Sequence, residues 1–283
     1  MNSAKLMMAL AMFIFGTVGL FVRNVPLPSA HIALIRGAVG AACLWTAAAT
    51  VGGGISWKRI RPNLKYLLAA GAGMGINWIL FFESFRWTTI SIAIICYYLA
   101  PVMILALAPL LLREKLNRRT VVCVLVSLAG LVCVAGGSGG GANDLLGIAY
   151  GVSAAATYAM IVLINKFLRG ITPYETTGMQ LTAAAAVLFP YVLAGGGISL
   201  SGLSAGAMAS LACVCFVHTG FAYLLYFKSL VQISSQTTAA LSYIDPLSAI
   251  LLSALLLGET MTPVQMLGGV LILGATFFNE LKK

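Results

Sequence analysis

The pentapeptide Gly52-Gly53-Gly54-Ile55-Ser56 recurs as Gly195-Gly196-Gly197-Ile198-Ser199, and the residues after the two copies differ in charge. Lys58, Arg59, Arg61 and Lys65 follow the first. The uncharged Ser201, Gly202 and Ser204 follow the second. Leu110-Leu111-Leu112-Arg113-Glu114 pairs in the same way with Leu255-Leu256-Leu257-Gly258-Glu259, Pro101 with Pro246, and Phe82-Glu83-Ser84 with Phe227-Lys228-Ser229. Lys115, Arg118 and Arg119 come after the first glutamate, and Met261, Thr262 and Pro263 after the second. Lys and Arg mark the cytoplasmic loops of membrane proteins. A basic loop and its uncharged twin therefore belong on opposite sides of a bilayer. A duplicated unit whose second copy is turned over is an inverted-topology repeat, the plan of many secondary transporters.

Composition agrees. The chain is 60% apolar and only 8% charged, against roughly 25% charged in soluble domains. Its net charge of +10 would suggest nucleic acid in a soluble protein, but the basic residues sit in short loops beside apolar runs, where topology explains them. Cys43, Cys96, Cys123, Cys133, Cys213 and Cys215 all fall inside those runs and read as small buried hydrophobes. Metal sites need several converging ligands, and no such spacing occurs, so no metal and no cofactor is expected. The N-terminal stretch imitates a signal peptide, with Lys5 before Leu6–Val22. Its Phe15, Gly16 and Arg23 have counterparts in Tyr158, Ala159 and Lys166, which favours a retained helix.

The sequence predicts an all-α membrane protein with ten transmembrane helices arranged as two inverted five-helix repeats. The spans run roughly over 4–22, 29–51, 64–85, 88–111, 119–136, 145–165, 174–194, 204–227, 234–257 and 263–280. The repeats cover 1–136 and 145–283, joined by the Gly- and Ser-rich 136–144. With the N-terminus inside, nearly all Lys and Arg fall on the inner side and only Arg23 and Arg86 on the outer. Gly71 with Gly75, and Gly147 with Gly151, have the spacing of close helix packing.

An ionisable group inside hydrocarbon is costly and normally faces a cavity or a partner. Asp245 lies near the middle of the ninth span, about 17 Å from either end at 1.5 Å per residue. Pro246 cannot donate to the carbonyl of Ser242, so a kink with free backbone acceptors is expected there, as in many transporter sites. Pro101 predicts the same kink in the fourth span, where Ala100 replaces the acid. A neutral Asp245 satisfied by neighbouring backbone or hydroxyls is the alternative. His218, opposite Gly73 in the first copy, lies near the middle of the eighth span. Imidazole titrates near neutral pH, so His218 suits either proton relay beside Asp245 or a satisfied place in the core. Arg36 and Glu83 lie towards the outer ends of the second and third spans. They are expected either to pair as part of a gate or, for Arg36, to snorkel to the interface. Asn77, Trp78, Tyr97, Tyr98, Tyr158, Tyr223 and Tyr243 lie too deep for an interfacial belt, and as a set suggest an aromatic-lined cavity. Glu114 and Glu259 are expected to serve the helices that follow them.

Asn77-Trp78, Phe82, Pro101, Leu112-x-Glu114 and Gly130, with Phe227, Pro246, Glu259 and Gly269 in the second copy, resemble the EamA module of the drug/metabolite transporter superfamily. Arg36 matches an arginine often seen in its second helix. Phe15 departs from a tryptophan common there, and the acid of Asp245 before the proline is not carried over from the family pattern. The resemblance covers nearly the whole chain. It implies a ten-helix inverted-repeat carrier of the bacterial inner membrane, often an exporter of amino acids or related metabolites, and names no substrate.

The expected function is secondary transport of small metabolites by alternating access, with both termini cytoplasmic and protons as a candidate coupling partner. A small-molecule substrate and the lipid bilayer are the expected partners, with no nucleic acid. Both a monomer and a homodimer are compatible with the sequence. The competing class is a membrane-embedded enzyme acting on a lipid or small metabolite, which would need catalytic polar residues converging at one membrane face. None are seen, so the chain reads as a non-enzyme.

Overall fold

The computed structural model describes residues 3–112, 118–137, 142–230, 232–233 and 235–280. All regular structure among these is helical. The first half contains α1 (Ser3–Gly16), α2 (Val18–Arg23), α3 (Ser29–Thr50), α4 (Trp57–Ile60), a 3₁₀ turn, α5 (Leu64–Trp87), α6 (Ile90–Tyr97), α7 (Ala100–Leu112) and α8 (Arg118–Gly136). The second half contains α9 (Ala142–Asn165), α10 (Pro173–Ala194) and α11 (Ala205–Ala212). A π-helical stretch (Cys213–Phe221) leads into α12 (Ala222–Leu230). α13 (Ser235–Ser242), α14 (Ile244–Leu257) and α15 (Pro263–Glu280) complete it. Glu114, its basic neighbours Arg113 and Lys115, and residues 138–141 of the 136–144 joint lie outside the described residues.

Among the described residues, seven helical stretches are long and apolar enough to cross a membrane: Ser3–Arg23, Ser29–Thr50, Trp57–Trp87, Asn143–Asn165, Pro173–Ala194, Ala205–Leu230 and Ala240–Leu257. Ile90–Ile104, Val121–Gly136 and Pro263–Phe278 are shorter apolar helices. Helices satisfy their own backbone groups, which is what lets a chain of this composition sit in lipid. Val132, Leu255 and Val270 point outward, as side chains facing hydrocarbon do.

α5 packs on α9 and α10, α10 on α3, α8 on α15, and α1 on α12 and α14. The expected small-residue seams form. A Cβ on Gly71 would stand 2.6 Å from the Gln180 carbonyl, and one on Gly75 3.3 Å from Leu188, so these glycines set how closely α5 meets α10. A seam not anticipated joins the last helices of the two halves. Gly130 of α8 and Gly268 of α15 face each other so closely that a Cβ on Gly268 would come within 2.5 Å of the Gly130 carbonyl. Between helices in lipid, close backbone approach supplies the dispersion contact that a hydrophobic drive supplies in water.

The two glycine triplets fold alike. Gly53 and Gly54 have φ of 79° and 86°, and Gly196 and Gly197 have 103° and 77°. Side chains rarely adopt this left-handed region, so the repeated sequence encodes a repeated turn. Other ends are capped as sequence rules predict. Thr172 and Glu175 form a reciprocal capping box at α10. Thr262 and Gln265 exchange the equivalent bonds at α15, with Thr262 N donating to Gln265 Oε1 over 2.8 Å and Gln265 N to Thr262 Oγ1 over 3.2 Å.

Candidate substrate and coupling site

The spans that carry Pro101 and Pro246 are both interrupted. α6 stops at Tyr97 and α7 starts at Ala100; α13 stops at Ser242 and α14 starts at Ile244. The breaks lie just before Pro101 and Pro246 rather than at them. Proline at position i removes the bond to the carbonyl at i−4 and crowds that carbonyl, so the preceding turn is the one that opens. The carbonyl released by Pro246 belongs to Ser242. It does not stay free: the Tyr98 hydroxyl lies 3.2 Å from it and 3.1 Å from Oδ2 of Asp245. Tyr98 sits in the first break, so one phenol joins the two. Its ring is 6.3 Å from that of Tyr243, which packs edge-on against Phe277 at 5.0 Å.

A phenol has one proton and can donate fully to one acceptor at a time. With Asp245 ionised, Ser242 and Asp245 compete for it. With Asp245 protonated, the carboxyl donates to Tyr98 and Tyr98 donates to Ser242, so every partner is satisfied. Gain or loss of a proton on Asp245 would therefore change which acceptor the Tyr98 hydroxyl serves at the two breaks.

A second polar group lies along α5. Asn77 Nδ2 donates to the Ala154 carbonyl over 2.7 Å, and the Tyr97 hydroxyl lies 3.4 Å from Asn77 Oδ1. The Tyr97 ring stacks obliquely between Phe81 at 4.3 Å and Tyr158 at 5.5 Å. Tyr223 packs on Phe15 and Phe227, at 5.4 and 5.9 Å.

Arg36 is buried, at 6% exposed, and does not snorkel. Its Nε donates to Thr219 Oγ1 over 2.8 Å, and its guanidinium lies 4.5 Å from the Trp78 ring centroid and 5.7 Å from that of Phe82. The expected Arg36–Glu83 pair is not formed. Glu83 instead faces Arg86, one turn along its own helix, at 3.7 Å. Packing the Arg36 stem among aromatics turns its head inward, while Arg86 reaches Glu83 without leaving the surface. Glu83 lines a cavity of about 430 Å³ shared with Ser29, His31 and Tyr191.

His218 and Asp245 are held by different partners. His218 Nδ1 lies 3.1 Å from the Cys213 carbonyl and so carries a proton, and Nε2 lies 2.9 Å from the Thr17 hydroxyl. Phe21 packs edge-on against the ring at 5.1 Å. Thr17 is the residue between α1 and α2, so a third interrupted helix meets the π-helical stretch. Thr219, in that stretch, accepts from Arg36 and donates to the Val214 carbonyl over 3.0 Å. The wider π turn aligns both His218 and Thr219 with carbonyls five residues back, and such turns frequently mark functional sites. Sequence reasoning missed Thr219 and the π stretch, since nothing in Cys213–Phe221 departs from ordinary helix composition.

Charged groups at the ends are tied tightly. Glu175 accepts from Ser56 N at 2.8 Å, from Arg59 at 2.8 Å and from Thr172 N at 3.1 Å. Asn63 Nδ2 donates to the Arg169 carbonyl and Arg169 N to Asn63 Oδ1, at 2.9 and 3.0 Å. Arg23 pairs with Glu259 and donates to the Phe85 and Thr88 carbonyls, at 3.0 and 2.7 Å. Glu259 was expected to serve its own following helix. It instead caps α6, accepting from Ile90 N at 2.9 Å, because Thr262 and Gln265 already close α15.

Apolar helices around two broken spans, with polar and aromatic groups gathered at the breaks, define a multi-pass membrane carrier. The chain belongs to the EamA-like transporter family, which matches residues 2–136 and again residues 145–280. It is 31% identical to a protein of Bacillus subtilis (strain 168) named uncharacterized transporter YxxF, over 96% of this chain and 87% of that one. It is 26% identical to an uncharacterized transporter of Archaeoglobus fulgidus, over 96% of this chain and 94% of that one. A solved crystal structure of a protein with 17% sequence identity superimposes with a TM-score of 0.68, covering 99% of this chain and 97% of that chain, a likeness of fold.

Proposed function

We propose that the protein is a ten-crossing, inverted-repeat secondary carrier of the bacterial inner membrane, with both termini cytoplasmic. It exports amino acids or related compounds by alternating access, with proton movement through Asp245. The observation that carries the reading is the meeting of the two broken spans at Tyr98, Ser242 and Asp245. Discontinuous helices at the interface of two repeats form the substrate and ion sites of many carriers.

Three further features support it. Tyr98 and Tyr243 occupy equivalent places three residues before Pro101 and Pro246, and a twofold axis between the repeats would bring such partners together. The last helices of the two halves, α8 and α15, also pack on each other. The loop contacts sort into two sets. Ser56, Arg59 and Asn63 bond to Glu175 and Arg169, all assigned to the inner side. Arg23 bonds to Glu259, His31 to Gly197 and Thr262 to Gly137, all assigned to the outer side.

The test uses proteoliposomes loaded with radiolabelled amino acids and an imposed pH gradient. Gradient-driven flux is expected from the native protein and lost in Asp245→Asn, with neutral exchange retained. Gradient-driven flux that is unchanged in Asp245→Asn rejects coupling through this residue. Absence of flux for every amino acid and amine tried rejects the substrate class.

A further inference from the structure

Among the described side chains, the buried guanidinium of Arg36 has no carboxylate partner. Of the carboxylates among the described side chains, Glu83 faces Arg86, Glu175 faces Arg59, Glu259 faces Arg23, Asp144 accepts from Thr88 and Asp245 meets Tyr98. None pairs with Arg36. Its polar neighbours are hydroxyls, of Thr219 at 2.8 Å and of Tyr223. The rings of Trp78 and Phe82 lie beside it, and Tyr97 stands within electrostatic reach.

Arginine stays protonated under essentially all conditions. A lone charge at this depth is expensive, and stacking on two rings offsets only part of the cost. Thr219 takes Nε and the Tyr223 hydroxyl also bonds to the guanidinium, so neutral hydroxyls rather than a carboxylate meet the two Nη groups among the described residues. Those groups form the fork that binds an oxyanion through two parallel bonds. We propose that Arg36 is the anion-binding subsite of the transport site, and that the transported molecule carries a monocarboxylate on an apolar or aromatic body. This rests on the carrier reading above and names the substrate chemistry within it. A single carboxylate neutralises one guanidinium charge for charge. A phosphate dianion would leave a buried excess charge and would lose a larger hydration shell. The aromatic neighbours offer the body of the ligand a surface that water does not contest.

The test is ligand-induced thermal stabilisation of purified protein in detergent, which reads binding without transport. Benzoate, benzylamine and phenyl phosphate share a ring and differ in the charged group. Benzoate is expected to raise the melting temperature in a saturable way, with little effect from the other two. Arg36→Lys, which keeps the charge and loses the fork, should weaken benzoate binding about tenfold, and Arg36→Gln should abolish the shift. Stabilisation by benzylamine alone, or an undiminished benzoate shift in Arg36→Lys and Arg36→Gln, overturns the assignment. If Arg36→Gln does not fold, the Lys variant decides. No benzoate shift alongside active amino-acid flux in the proteoliposomes also overturns it, while the carrier reading stands.

Discussion

The Tyr98 hydroxyl stands 3.1 Å from Oδ2 of Asp245, across the meeting point of two broken helices. The same hydroxyl reaches the Ser242 carbonyl that Pro246 strands, at 3.2 Å. A side chain in one break thus supplies the hydrogen bond that a proline removes from the other. The resulting junction would respond to protonation of that one carboxyl.

Tyr98→Phe keeps the ring and deletes the bridge. The bond to the Ser242 carbonyl is then lost, at a cost of about 1 kcal/mol. Thermal unfolding in detergent should show a lower midpoint. In proteoliposomes the flux should persist with an altered pH profile, because Asp245 no longer exchanges bonds with the junction. An unaltered midpoint and profile would mean that the bridge is incidental.

Arg23 and Glu259 clasp the end of α2, the start of α6 and the end of α14. If the face they occupy opens during transport, this clasp must break. Glu259→Gln removes the charge while keeping an oxygen for Ile90 N. It is expected to raise the labelling rate of a cysteine placed at buried Ser91, using a membrane-impermeant thiol reagent in a cysteine-free background. Equal labelling in both backgrounds counts against a gate at this face.

Glu175 and Arg59 form an ion pair of unequal partners. Glu175 is fully buried and accepts from two backbone N–H groups as well as Arg59, whereas Arg59 is partly open to solvent. Glu175→Ala leaves both N–H groups without their acceptor and breaks the capping box of α10. Arg59→Ala removes one donor of several. The melting temperature should therefore fall further in Glu175→Ala than in Arg59→Ala. The reverse order would show that the ion pair, and not the backbone capping, holds this corner.

Topology has its own check. A cysteine at Ser138 should react with impermeant reagent from outside the cell, and one at Ile55 only after permeabilisation. Cytoplasmic labelling at Ser138 would reject the inverted arrangement.

The broad plan was legible in the residues alone. Apolar composition and span length dictate helices for lipid, the repeated glycine triplets dictate two matching turns, and Pro101 and Pro246 dictate two interruptions. These are local properties, set by solvation and by backbone sterics within a few residues. Partner choice was not legible. Arg36 was expected to meet Glu83 or the interface, and it turned inward to Thr219 and Trp78. Glu259 was expected to serve the helix after it, and it caps α6. Asp245 was grouped with His218, and it meets Tyr98. Each outcome depends on how helices far apart in sequence rotate and approach, which glycine seams such as Gly130 with Gly268 decide. The π-helical register that aims His218 and Thr219 is likewise a product of packing. Solvation and local sterics determined where the helices lie and that they break before Pro101 and Pro246; tertiary contact decided the break at Thr17, the π-helical stretch and which buried polar group answers which.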